Sequence, residues 1–152
     1  MASSWNGPQP APKAVWTLVH NQFPVARFQG IYNNRNVAGT NTPSAHAEGR
    51  ALDIGLFVSR PAEKELGDQL FAIFIGDAAE LGVWHVIWNR RIWSTTKGGP
   101  RAYTGSNPHT DHVHVAWTRA GSQRTSFPKF VLRLAQLRTG LEELASSRSN
   151  IA

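Results

Sequence analysis

The sequence predicts a single α+β domain, a central antiparallel sheet flanked by helices, on three observations. Its 152 residues can bury one core but not two ordinary ones. Apolar residues recur at helical spacing near both ends and once in the middle. Between those stretches lie short runs rich in β-branched and aromatic residues, the composition of strands. Hydrophobic residues make up 41% of the chain and tryptophan contributes six, so the low-hydrophobicity signature of disorder is absent.

Residues 1–12 are small, polar and proline-rich, and read as a flexible N-terminal arm. Pro12 suits the first turn of a helix that runs through Val15, Trp16, Leu18 and Val19. Residues 27–32 have strand composition, and 33–45 form a loop rich in Asn, Gly, Thr and Pro. Residues 50–58 suit a central strand with Asp53 on one face. Ser59 resembles an N-cap, and Pro61 and Glu63 fit a first turn. Leu66, Leu70, Phe74, Ala78 and Leu81 then continue the helical period until Gly82 stops it. Residues 83–89 and 91–94 read as two strands or one bent strand, 95–108 as loop, and 112–117 as another strand. A last amphipathic helix carries Phe127, Phe130, Val131, Leu134, Leu137, Leu141 and Leu144, weakened at Gly140, before a polar tail or linker remnant at 146–152. The body of the domain is 13–145.

Sixteen Lys and Arg against ten Asp and Glu give a formal charge of +6, which favours polyanionic partners at long range. The cations are scattered, with Arg90 and Arg91 the only adjacent pair. They read as a solvated basic surface rather than a specific nucleic-acid groove. The absence of cysteine removes thiol catalysis, disulfides and zinc-ribbon chemistry, so any metal must sit on His, Asp and Glu. No apolar run reaches membrane-spanning length and no secretory signal is visible. The expectation is a monomer made in the cytoplasm, without membrane insertion.

Two short motifs carry the chemistry, Ser44-Ala45-His46-Ala47-Glu48-Gly49-Arg50-Ala51-Leu52-Asp53 and His109-Thr110-Asp111-His112-Val113-His114. His46, Asp53 and His114 make a three-ligand zinc set that leaves a fourth tetrahedral position for water, the mark of a catalytic rather than a structural ion. Gly49 permits a tight turn between the first two. His112 and His114 are two apart and share a face on a strand, so one can bind the metal while the other faces the open position. A nearby base must move the water's proton, and Asp111, His109 and His112 are the catalytic candidates. His20 and His85 lack motif partners and read as ordinary hydrogen-bonding residues. Trp84, Trp88, Trp93 and Trp117 read as core.

The pattern Ser-x-His-x-x-Gly-x-Ala-x-Asp at 44–53 resembles that of the zinc D-Ala-D-Ala carboxypeptidases and L-alanyl-D-glutamate endopeptidases, which share a fold with hedgehog signalling domains. The blocks at 109–115 and 86–93 are similar to an actinobacterial branch of wall peptidases and phage endolysins. The resemblance covers roughly residues 32–117. It implies a hedgehog/DD-peptidase-like fold, one Zn2+ per chain on His46, Asp53 and His114, and substrate contacts from Arg50, Arg35 and Ser44. Many relatives place a catalytic Glu where this chain has Asp111. Others use histidines, matching His109 and His112. The function it implies is zinc-dependent hydrolysis of peptidoglycan stem or cross-link peptides, after release or lysis brings the protein to the wall. The rival is a non-catalytic zinc-containing binding or signalling module of the same fold.

Overall fold

A computed structural model describes residues 5–149. The element order is α1 (Pro10–Gln22), β1 (Arg27–Gly30), a 3₁₀ turn (His46–Glu48), β2 (Ala51–Gly55), α2 (Pro61–Gly76), α3 (Ala78–Leu81), β3 (Val83–Trp88), β4 (Arg91–Ser94), β5 (Gly98–Ala102), β6 (His112–Trp117), a 3₁₀ turn (Gly121–Gln123) and α4 (Pro128–Ser149). Six strands form one antiparallel sheet in the order β1-β2-β6-β3-β4-β5. The predicted α+β domain with helices on an antiparallel sheet is the observed one.

The alternation of side chains along the three central strands divides the sheet into a core face and a second face. Leu52, Ile54, Val86, Trp88, Val113, Val115 and Trp117 are buried in the hydrophobic core with α1, α2 and α4. The register pairs Leu52 with Val115 and Ile54 with Val113, so the apolar partners face the helices together. Their neighbours Asp53, His112 and His114 therefore point to the opposite face. A one-residue slip of β2 against β6 would exchange the two sets, so the hydrophobic pattern itself fixes where the polar residues emerge.

Pro10 opens α1, two residues before the expected start, and Ala11 and Pro12 are buried. The arm expected at 1–12 is thus shorter than the sequence suggested, because Gln9 N–H bonds the Gly49 carbonyl at 2.9 Å and seats the chain against the first motif. Its residues 1–4 lie outside the described residues. The helix expected from 61 to 81 breaks at Asp77, whose buried carboxylate accepts from Arg133 Nε at 2.8 Å. Arg60, not Ser59, occupies the N-cap position of α2. Glu63 in its first turn accepts from Arg27 at 2.5 Å, from Arg60 at 3.0 Å and from Phe57 N–H at 3.1 Å. Burial pushes the Glu63 carboxyl up, but these hydrogen bonds and the Arg27 charge outweigh it and hold the pKa down at about 2.

Asn89 and Arg90 both have positive φ, 48° and 64°, so a two-residue turn joins β3 and β4 as separate strands. The loop expected at 95–108 contains β5, a strand of Gly, Pro, Arg and Ala with no apolar alternation to reveal it. At the other end, Glu80 accepts from Lys129 N–H and Phe130 N–H, both at 2.9 Å, and so caps α4 from another helix. That helix continues to Ser149, so residues 146–149 of the expected tail are helical and exposed, and 150–152 lie outside the described residues.

Gly67 of α2 lies flat on the Trp88 ring, and a Cβ there would overlap the indole. Trp88 cannot move aside, because it is 2% exposed and its Nε1 donates to Asp68 at 2.9 Å. Gly67→Ala is therefore expected to destabilise the fold. Overpacking of about 1–3 kcal/mol exceeds the roughly 1 kcal/mol that alanine adds to a helix. Denaturant unfolding checks it, and an unchanged or raised midpoint contradicts it.

Candidate metal centre and cleft

The first motif enters the site through a turn. Ser44 is buried and its Oγ accepts from Ala47 N–H at 3.1 Å, which starts the 3₁₀ turn that holds His46. Gly49 ends this turn at φ 67°, and a Cβ there would run into the Gly7 carbonyl. The chain then passes straight into β2, which places Asp53 directly opposite His114 of β6.

Asp53 stands at the centre. Its Oδ1 accepts from His114 Nδ1 at 2.9 Å, and its Oδ2 lies 3.1 Å from His46 Nε2. That second contact is too poorly aligned to be a hydrogen bond, and His46 Nε2 is a buried nitrogen with no hydrogen-bond partner among the described residues. Its other ring nitrogen, Nδ1, donates to the Ile31 carbonyl at 2.8 Å, which leaves Nε2 with a lone pair aimed into the site. Buried polar atoms rarely go unmatched, and a ring fixed this way at its outer nitrogen is how histidine ligands are held. The three residues offer ligand atoms all within 4.8 Å of one another and form a group that could hold a metal ion. Burial raises the Asp53 pKa, but the hydrogen bond from His114 and the close His46 ring overcome this and hold it far below the usual carboxylate range. Burial drives the His114 pKa down, against the pull of Asp53. The site thus offers an ionised carboxylate beside ring nitrogens of His46 and His114, a donor set that suits a cation.

The other predicted residues gather around this centre with distinct geometries. His112 Nε2 lies 3.6 Å from Asp53 Oδ1, while its Nδ1 donates to Asp111 Oδ1 at 2.7 Å. Asp111 itself is exposed, and its carboxylate is hydrogen-bonded to His112. His109 packs against His112, ring centroids 4.7 Å apart, and its Nδ1 donates to the Asn107 carbonyl at 2.7 Å, leaving Nε2 as an acceptor. Burial and then the neighbouring His114 and His112 push its pKa down to about 4. Its positive φ of 55° is uncommon outside glycine and is held by a second bond, from His109 N–H to Asn107 Oδ1 at 2.9 Å.

A cleft of about 550 Å³ opens over these groups, lined on one side by Arg35, Thr42 and Ser44 and on the other by Ile92, Lys97, Arg101 and Tyr103. Arg50 also lines it but is tied down, donating to Glu48 at 2.8 Å and to the Trp117 carbonyl at 2.6 Å with its guanidinium over Trp84. Arg35 is exposed at the rim, and among the described residues its guanidinium is not tied down as that of Arg50 is.

Two residues depart from expectation. Trp88 and Trp117 are core and Trp93 packs against it, but Trp84 lines the cleft. His85 lies in the site, its Nε2 2.9 Å from His114 Nε2. Trp84 is displaced by a register irregularity between Val83 and His85, whereas His85 follows the alternation of the strand, opposite the core residues Val86 and Trp88. His20 has the ordinary role expected of it, pairing with the Ala26 carbonyl at 3.2 Å and stacking on Trp16.

The model of the family described as VldE, C-terminal domain, matches residues 4–114, well over half of the chain. The chain belongs to that family. Within this VldE C-terminal domain the match takes in His46, Asp53 and the whole second motif, and ends on His114. No curated protein and no solved structure matches the chain. Among the described residues no helix is long and apolar enough to cross a membrane.

Proposed function

We propose that the domain is a zinc-dependent peptidase that hydrolyses amide bonds in the stem or cross-link peptides of bacterial peptidoglycan. The observation that carries this reading is the convergence of His46 Nε2, Asp53 and His114 Nδ1 at the floor of a cleft, with two further imidazoles beside them. Their borderline-soft nitrogen and hard oxygen donors, without thiolate, suit zinc. Zinc held there supplies a bound water of lowered pKa and a Lewis acid for the scissile carbonyl.

The chain's own residues then divide the proton work. His112 has its Nδ1 proton on Asp111, so its Nε2 presents a lone pair toward Asp53 and the ligand cluster. It takes the proton of the attacking water, and the Asp111 carboxylate behind it stabilises the resulting imidazolium, as an aspartate does behind a base histidine. The same imidazolium returns a proton to the leaving amine. Asp111 is thereby a positioning residue rather than the base. His109, neutral and with its own tautomer fixed by Asn107, accepts a second hydrogen bond and orients the incoming N–H or water. Arg35, Lys97 and Arg101 along the cleft complement the carboxylates of wall peptides, while Arg50 braces Trp84 and the end of β6.

Incubating the zinc-loaded protein with purified cell walls is expected to release new amino groups. A chelator should stop the release and added zinc restore it, with mass spectrometry of the fragments identifying the bond. Zinc-loaded protein that leaves defined peptidoglycan uncut would set the peptidase aside in favour of a non-catalytic zinc-containing module.

A further inference from the structure

His85 has no motif around it in the sequence, yet the fold brings it against a residue of the metal set. Its ring stacks on His114 with centroids 5.1 Å apart, and Trp84 covers it at 4.2 Å. The Nε2 atoms of His85 and His114 are 2.9 Å apart, so one ring must carry the proton and the other the lone pair.

The other end of His114 decides which. Its Nδ1 is 2.9 Å from Asp53 Oδ1, and an ionised carboxylate only accepts. With a proton on Nδ1, His114 has a lone pair on Nε2, and His85 donates to it. Once Nδ1 gives its lone pair to a cation, the His114 proton must sit on Nε2, and His85 must accept. Ligating histidines commonly hand this second N–H to a carboxylate, a carbonyl or water, as His46 does to Ile31. At His114 the acceptor is another imidazole, which can reverse its role.

We propose that His85 is a positioning residue of the metal centre, fixing the ligand tautomer of His114 by switching its own tautomer when the ion binds. One proton crosses from His85 Nε2 to His114 Nε2, the His114 Nδ1 proton leaves to solvent, and His85 Nδ1 takes one up. Neither ring changes charge. The role rests on the metal reading above, with His114 Nδ1 as the ligand atom.

Nitrogen-15 NMR of the imidazoles of the full chain, before and after adding zinc, reads both tautomers. The expected result is that His114 moves from Nδ1–H to Nε2–H and His85 from Nε2–H to Nδ1–H together. Zinc affinity measured by chelator competition is expected to fall about 10- to 100-fold in His85→Phe, which keeps the ring volume but cannot accept. His85→Gln, which retains an acceptor, is expected to recover most of it. Zinc binding with His85 in an unchanged tautomer, or His85→Phe that binds zinc like the wild type, overturns this role alone. A wild-type chain that binds no zinc overturns the metal reading and this role with it. The NMR experiment needs no variant, so a poorly folding His85→Phe leaves the test intact.

Discussion

His114→Ala is expected to lose stoichiometric zinc and to cut hydrolysis of peptidoglycan peptides by on the order of a thousandfold, about 4 kcal/mol of barrier. Two imidazoles and a carboxylate are the smallest protein set that holds a catalytic zinc, and removing one leaves two ligands. The loss should be chemical rather than global. His114 lies on the sheet face opposite the core, where its neighbours Val113 and Val115 remain packed against the helices. Asp53→Asn, nearly isosteric, should behave alike, because the amide brings no charge to offset the ion. Metal analysis after dialysis, with circular dichroism as the control for folding, checks both. Wild-type turnover by folded, zinc-free His114→Ala would rule out metal-dependent hydrolysis.

His112→Ala makes the second large effect, and it separates proton transfer from metal binding. This variant should keep its zinc and lose about 10²- to 10⁴-fold in kcat, the usual contribution of a positioned general base. Asp111→Asn should lose less, since the exposed Asp111 acts through His112 and solvent can partly replace its hydrogen bond. The KM for the wall peptide should change little in either. If Asp111→Asn proves more damaging than His112→Ala, the carboxylate itself is the base and the roles assigned to the pair are reversed.

The group that could hold a metal ion was legible in the sequence because its residues sit in two tight local patterns. Asp53 lies seven positions after His46, enough for one turn closed by Gly49 and entry into β2, and this geometry is local. His112 and His114 share a face by the two-residue period of a strand, which is local as well. Which of Asp111, His112 and His109 faces the centre was not local. It depends on Asn107 fixing His109 from one side and on Asp111 turning away to bond His112. His85 was hidden for a related reason. Alternation with Val86 and Trp88 turns His85 away from the core, but only the pairing of β3 with β6, residues far away in sequence, brings it against His114. Strand β5 was hidden because a strand at the sheet edge need not alternate, and Gly98-Gly99-Pro100 carries no apolar face.

By itself the sequence determined the α+β class, the three residues that could hold a metal ion and the face on which they emerge, since hydrophobic alternation in 50–58 and 112–117 leaves only one side of the sheet to polar residues. Tertiary structure decided the rest: the cleft walls, the tie that holds Arg50, the orientation of the Asp111 and His112 pair and the arrival of His85 behind His114. The physical reason is range. Side-chain periodicity and turn chemistry act over a few residues and are written along the chain, whereas hydrogen bonds between 85 and 114, or between 50 and 117, exist only after the strands have paired.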